Sequence, residues 1–412
     1  MGPIDWSLGS GAASAERWGL SLLATALLFG LLLLQILLVK LFSRRLSDLR
    51  RGTHQLPAEP EEGWLPLEVV LCLRGADSCL PRLLEALACQ TYPGPWRLQV
   101  VVDSAADPAW PLLQPWLVRT DTAWNELHCR TLQQRPSQGS LKCAALRQAF
   151  AGLHSDSALV VLLDADIRFA EDGLERCARA CLQPGVGAIS GNRWFAPPSP
   201  GVSGLNLSSW TRAVWNAGAV VLMTLWKIPW GGCLCVRRSV VETGDWLELL
   251  SRGLCEDTGL LGPLRRLGLD YRFAPDLVMV DPDPAQPLLP LGRWITRQLL
   301  TARLHHPAWG LVALHGISSA ALLLFALLQG DWVAAVVYEL GCVGLLCWIE
   351  QLLQPEGSPH WLGWSVGLLP GQIVDGVSTV AALLARRISW RGVDYAVRTR
   401  PSRVWIQRDR LQ

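Results

Sequence analysis

The residues of this chain best suited to chemistry are acidic side chains at the ends of apolar runs. Asp164-Ala165-Asp166 closes the continuous apolar run Ala158–Leu163. Two carboxylates at i and i+2 where a strand ends can share one hard divalent cation, magnesium or manganese, with diphosphate oxygens completing its shell. Such an ion neutralises charge that develops on a leaving diphosphate. The same pattern recurs at Asp281-Pro282-Asp283, where the interleaved prolines read as a turn. The first copy follows a run that can fix its geometry, which singles it out; the plain alternative is a strand-end cap.

Glu256-Asp257 follows Gly253-Leu254-Cys255 and precedes a helix carrying Arg265 and Arg266. Acids at a helix start are favourable to its dipole in any case. A carboxylate there can also take the proton of an attacking hydroxyl, and neighbouring acids raise its affinity for that proton. Lys142 begins a helix after the small-residue loop Ser137-Gln138-Gly139-Ser140, a setting that suits an anion at a helix N-terminus. A solvated lysine is the alternative. Arg293-Trp294, with Arg297 one turn on, stands before an apolar hairpin; the indole is either an interfacial anchor or a platform for a sugar or lipid headgroup. His305 and His306 flank the same hairpin and read as interfacial, with no role in chemistry.

The elements that must position these groups alternate between strand and helix. Leu67–Leu73 is a strand, Leu80–Cys89 a helix, Leu98–Val102 a strand ending at Asp103, Leu141–Leu153 a helix, and Ala158–Leu163 a strand. That order predicts an α/β fold with a mostly parallel sheet, in which ligands sit at the carboxyl ends of strands. Asp103 and Asp164 both stand at such ends. Trp215–Trp230 is largely apolar and is either a core helix or one that dips into a membrane interface. Ala196–Gly201 reads as a loop.

Of 412 residues, 50% are hydrophobic and only 17% charged, a balance skewed toward lipid. The net charge of +2 argues against a nucleic-acid binder. The 12 cysteines show no metal spacing and read as small core residues in a reducing compartment. Gly19–Val39 is uncharged and long enough to span a bilayer as an uncleaved anchor. Lys40, Arg44, Arg45, Arg50 and Arg51 follow it, opposed only by Asp48, so the next domain is expected on the cytoplasmic side. Three more apolar runs lie at Pro307–Leu328, Trp332–Ile349 and Trp361–Ala385. The second carries Glu339, expected to face protein. The tail from Arg386 has eight arginines against Asp394 and Asp409 and should also be cytoplasmic. Three further crossings would put it outside. Pro370, Gly371, Gln372 and Asp375 therefore suggest a break in the third run, which would make it re-entrant or interfacial. The expected organisation is an anchor at 1–42, a cytoplasmic domain at 43–306, membrane segments at 307–385 and a basic cytoplasmic tail at 386–412.

In order, the chain shows Leu73-Arg74-Gly75-Ala76-Asp77, Gln90-Thr91-Tyr92-Pro93, Val102-Asp103-Ser104 and Asp164-Ala165-Asp166. Then come Trp230-Gly231-Gly232-Cys233 with Arg237-Arg238, Glu256-Asp257, Arg293-Trp294 and Trp390-Arg391-Gly392-Val393-Asp394-Tyr395. The ordered set covers nearly the whole chain and resembles membrane-bound family 2 glycosyltransferases, the ceramide glucosyltransferase-like branch in particular. The resemblance implies an A-type glycosyltransferase domain and inversion by direct displacement. Asp103 would contact the nucleoside, and Asp164 and Asp166 would hold the metal-diphosphate. Asp257 would be the base, and Arg293 and Trp294 would lie near donor and acceptor. Two positions depart from the family pattern: Pro290 stands where Gln or Arg opens the last element, and Cys233 where serine is common.

The expected activity is transfer of a sugar from a cytosolic nucleotide-sugar, a UDP-sugar by resemblance, to a membrane lipid, with Mn or Mg as cofactor and Lys142 assisting at the donor. Competing readings are a processive polysaccharide synthase, which needs a membrane channel, and an inactive membrane-tethered binding module, whose mark would be loss of the carboxylates. A transporter fits least, because the largest block is not apolar.

Overall fold

The computed structural model describes residues 8–57, 59–60, 63–196, 206–282, 284–399 and 402–410. Its elements run in the order α1 (Leu8–His54), β1 (Leu67–Leu73), α2 (Leu80–Ala88), β2 (Trp96–Val102), α3 (Ala109–Leu117), β3 (Glu126–Thr131), α4 (Leu141–Ala151) and β4 (Leu159–Leu163). They continue with α5 (Gly173–Cys181), β5 (Val186–Phe195), α6 (Leu207–Trp226), β6 (Cys233–Arg237), α7 (Arg238–Glu242), α8 (Asp245–Arg252), α9 (Leu261–Arg266) and β7 (Asp270–Asp281). The last are α10 (Leu288–His305), α11 (Trp309–Leu328), α12 (Trp332–Leu353), α13 (Trp361–Leu384), β8 (Arg387–Trp390), β9 (Val393–Thr399) and β10 (Ser402–Asp409).

Among the described residues the main sheet has seven strands in the order β3-β2-β1-β4-β6-β5-β7. β1 pairs in parallel with both β2 and β4, while β6 runs antiparallel to β4 and β5. The mostly parallel α/β expectation holds. β4 reads as an unbroken apolar run and β1 as one interrupted only by Glu68, because helices cover both sheet faces, as in other parallel sheets, and all of β4 is buried. Cys177, Cys181, Cys233 and Cys235 fill that core as small side chains, and every cysteine is free.

Among the described residues, four helices are long and apolar enough to cross a membrane, within α1, α11, α12 and α13. α1 does not stop at residue 42 but carries its basic residues as one helix to His54. The expected break in the third C-terminal run is absent: α13 continues through Pro370. Gly363 and Gly367 lie against Trp210, and Gly371 against Val214, so α6 presses closely on this helix. That packing offsets the backbone hydrogen bond that proline removes. Glu339 meets Gln372 of α13, so it faces protein.

α6, the helix left open between core and interface, is capped at its start by Asn206 and packs Trp210, Ala213, Ala217, Val220 and Val221 into the protein. The basic tail folds into an antiparallel sheet, β10-β9-β8. In β9, buried Val393, Tyr395 and Val397 alternate with less buried residues, the two-residue period of a half-buried strand. Of the loop expected at Ala196–Gly201, residues 197–201 lie outside the described residues, as does Asp283 of the second Asp-x-Asp pattern.

Candidate active site

Asp103, Asp164, Asp166 and Asp257 line a single cavity of about 830 Å³. Three chain segments bring them together: the ends of β2 and β4, and the loop after α8. β4 sets Asp164 at the sheet edge, where its N–H donates to the Gly232 carbonyl at 3.0 Å.

Asp164, Asp166 and Glu256 each face a cation. Lys142 Nζ lies 2.7 Å from Asp164 Oδ1 and 2.6 Å from Glu256 Oε1. Burial disfavours its charge, but the two carboxylates outweigh burial and hold the ammonium protonated. Arg193 forks onto Asp166, Nη2 at 2.8 Å from Oδ1 and Nη1 at 3.1 Å from Oδ2. Burial pushes that carboxyl up; Arg193 pushes harder and holds it below its usual range. Burial raises Glu256 to about 7 despite Lys142, with Asp257 and Asp164 adding in the same direction. Its Oε2 is buried without a hydrogen bond.

Asp257 is held by backbone: the Gly231 N–H donates to Oδ2 at 2.8 Å and the Thr258 N–H to Oδ1 at 2.6 Å. A Cβ on Gly231 would meet Glu256 Oε1 at 2.2 Å and Asp257 Oδ2 at 2.9 Å. Only glycine lets the chain pass this close to both acids, which explains the Trp230-Gly231-Gly232 turn physically.

Around the N-terminus of α4 several N–H groups already have partners within the protein. Gly139 donates to Val404 O, Ser140 to Gly253 O, Leu141 to the Tyr395 hydroxyl and Cys143 to the Ser140 side chain. The Lys142 ammonium lies in the cavity lining, against Asp164 and Glu256. His305 is half-buried, its Nε2 accepts from Leu254 N at 3.3 Å, and burial lowers its pKa to about 4. It supports the backbone that leads into Glu256-Asp257.

Arg293, Trp294 and Arg297 line the cavity from α10. Trp294 packs edge-on to Trp215 at 5.2 Å and Phe195 at 5.8 Å. Arg297 lies over the Trp390 ring at 5.0 Å. Several groups at the site went unassigned in the sequence. Arg74 sits in a quoted motif and Arg391 in another, while Arg135 and Arg193 carry no local signal.

Among the described residues, no group of three or more His, Cys, Asp or Glu side chains is placed to hold a metal ion. Asp164 and Asp166 nonetheless suit a partial shell: hard oxygen donors at a strand end, their side chains 35% and 36% exposed toward the cavity.

One solved structure, the mannosyltransferase PcManGT from Pyrobaculum calidifontis in complex with GDP-Man and Mn2+, matches with a TM-score of 0.54 at 18% identity. The match covers 88% of this chain and 99% of that one, so the fold is that of an A-type glycosyltransferase. A family model described as glycosyl transferase family 21 matches residues 28–403, and the chain belongs to that family; it is a glycosyltransferase. Glucosyl-3-phosphoglycerate synthase from Mycobacterium tuberculosis in complex with Mn2+, UDP and glucosyl-3-phosphoglycerate is a more distant likeness. That match has a TM-score of 0.35 at 14% identity, over 57% of this chain and 78% of that one. No curated protein sequence matches the chain.

Proposed function

We propose that this enzyme transfers a sugar from a nucleotide-sugar, a UDP-sugar by family resemblance, to a membrane lipid with inversion at the anomeric carbon. One observation carries the reading. The cavity that holds the four aspartates also reaches Val39 of α1, Leu222 of α6, Leu346 and Ile349 of α12, and Leu368 of α13. A polar, acid-lined end thus opens into an apolar one within the helices apolar enough to enter a membrane. An amphiphilic acceptor fits that division: its headgroup at the carboxylates, its chain among the helices. Gln35, His315, Gln372 and Asp375 also line the cavity.

In the reaction, the acceptor hydroxyl attacks the anomeric carbon, its proton passes to Asp257, and the bond from that carbon to the diphosphate oxygen breaks. The two backbone N–H bonds fix Asp257 in place for this. Asp103 contacts the nucleoside, and Lys142 supplies positive charge on the diphosphate side. Arg293 and Trp294 bound the space between donor and acceptor. A divalent ion, Mn or Mg, would be held by Asp164 and Asp166 and would neutralise charge developing on the leaving diphosphate.

Contacts at the helix ends support one membrane arrangement. The Asp331 tip between α11 and α12 bonds Thr25, and Ser21 at 3.3 Å, early in α1. Late in α1, Arg50 bonds the Leu352 carbonyl at 2.8 Å. α1, α11 and α12 thus run side by side across one layer. Both ends of α13 attach on the Arg50 side: Trp364 donates to Glu350 at 2.6 Å, and Arg303 of α10 donates to the carbonyls of Ala382 and Ala385. Three crossings, with α13 kept on the side of the catalytic domain, would put domain and tail together in the cytoplasm, in line with their basic residues.

Lipid extracts from cells expressing the enzyme, compared by mass spectrometry with cells expressing Asp257→Asn, test the proposal. A new glycolipid in the first alone supports it; a polysaccharide without any glycolipid would favour a processive synthase instead.

A further inference from the structure

The C-terminal strand reaches the nucleoside end of the cavity. Asp409 of β10 accepts from Arg74 Nη2 at 2.5 Å and from Arg135 Nη1 at 2.7 Å. The same two guanidinium groups converge on a single oxygen of Asp103: Arg74 Nη1 lies 2.6 Å and Arg135 Nη2 2.8 Å from Oδ2. The result is a closed ring of alternating charge, two acids across two bases. The Asp103 and Asp409 side chains are each only 8% exposed. The other oxygen of Asp103, Oδ1, is buried with no hydrogen-bond partner. Buried polar atoms are nearly always satisfied, so this one waits for a donor from a ligand.

We propose that Asp409 is a positioning residue for donor recognition. It holds Arg74 and Arg135 so that both grip one oxygen of Asp103 and leave the other for an N–H of the nucleobase. The inference rests on the reading that Asp103 contacts the nucleoside. The charge balance gives the reason. Without Asp409 the two arginines share one carboxylate, and the fork geometry of a guanidinium favours engaging both its oxygens. Oδ1 would then be occupied before the donor arrives.

The strand is well fastened for this task. The Gly139 N–H donates to Val404 O at 2.8 Å, and Gln138 bridges Trp405. Arg74 Nε also donates to the Arg391 carbonyl at 2.8 Å. Donor recognition by Asp103, at the end of β2, therefore depends on a strand more than 300 residues further along the chain.

Full-length enzyme in detergent or vesicles, as wild type, Asp409→Asn, Asp409→Glu, Asp103→Asn, Arg135→Gln and the Asp409→Asn/Arg135→Gln double variant, provides the test. The readouts are KM for donor, KM for acceptor, kcat and equilibrium binding of the nucleoside diphosphate alone. Asp409→Asn should raise donor KM and weaken nucleotide binding about tenfold, the scale at which loss of a group that orients a contact residue is felt. kcat and acceptor KM should stay within about twofold, and Asp409→Glu should recover much of the loss. The double variant should be no worse than the poorer single one, because both changes break the same ring. If Asp103→Asn weakens nucleotide binding while Asp409→Asn does not, the positioning role is wrong. Additive losses, or equal losses in donor KM, acceptor KM and kcat, would likewise overturn it. If Asp103→Asn leaves nucleotide binding unchanged, the reading of Asp103 fails first and takes this inference with it.

Discussion

Gly231→Ala is the sharpest probe of the acid pair. The added methyl would sit 2.2 Å from Glu256 Oε1 and 2.9 Å from Asp257 Oδ2, whereas ordinary contact begins at 3.4 Å. Glu256 must therefore retreat by about 1 Å in a close-packed interior, and its ion pair with Lys142 must stretch or follow. The Gly231 N–H that fixes Asp257 moves with the backbone. A displacement of about 1 Å in a catalytic arrangement is worth roughly 100-fold in rate, and overpacking costs about 1–3 kcal/mol of stability. Initial-rate assays with nucleotide-sugar and lipid acceptor should show kcat down about 100-fold. Nucleotide binding should stay within a few-fold, which also reports an intact fold. Gly310→Ala, where a methyl meets open space, is the control and should behave as wild type. Wild-type turnover in Gly231→Ala would refute the assignment of chemistry to this pair.

Asp257→Asn should lower transfer by about 10² to 10⁴-fold, the usual worth of a general base, and leave nucleotide-sugar binding intact; unchanged turnover would remove Asp257 from that role. Asp166→Ala should weaken Mn- or Mg-dependent donor binding, read by titrating the nucleotide with and without chelator, and an unaltered metal dependence would contradict it. Burial raises Glu256 from 4.5 to about 7, so the folded chain holds that proton more tightly than the unfolded one. The resulting stabilisation is complete below about pH 4.5 and lost as pH rises toward 7, about 3 kcal/mol in all. The apparent Tm should therefore fall across that window in wild type and less in Glu256→Gln; parallel curves would sink the claim. A reporter fused to the C-terminus should be found in the cytoplasm, and a reporter found outside would show that α13 crosses.

The sheet was legible where strands are buried on both faces: β4 is an apolar run of strand length, β1 and β2 are mostly apolar, and Asp103 and Asp164 follow the ends of β2 and β4. The order of the site acids along the chain also pointed to their convergence. Their cationic partners were not legible, because Lys142 and Glu256 lie 114 positions apart and ion pairing leaves no local pattern. The C-terminal sheet was hidden for a different reason. Eight arginines made the tail read only as a basic cytoplasmic segment, although the alternation Val393, Tyr395, Val397 was present. Pro370 misled about α13 because the glycine face that lets α6 support the helix acts only through tertiary packing. The contact of His305 with the Leu254 backbone was not legible either, because no position near an apolar run announces it.

Purified enzyme in lipid vesicles, given labelled nucleotide-sugar with Mn or Mg, tests the central proposal most directly. Label should move into the organic-extractable lipid fraction as a single-sugar product, releasing one nucleoside diphosphate per sugar transferred, and Asp257→Asn should yield none. Label that remains in water-soluble polymer or free sugar, with no glycolipid formed from any vesicle lipid supplied, would contradict it.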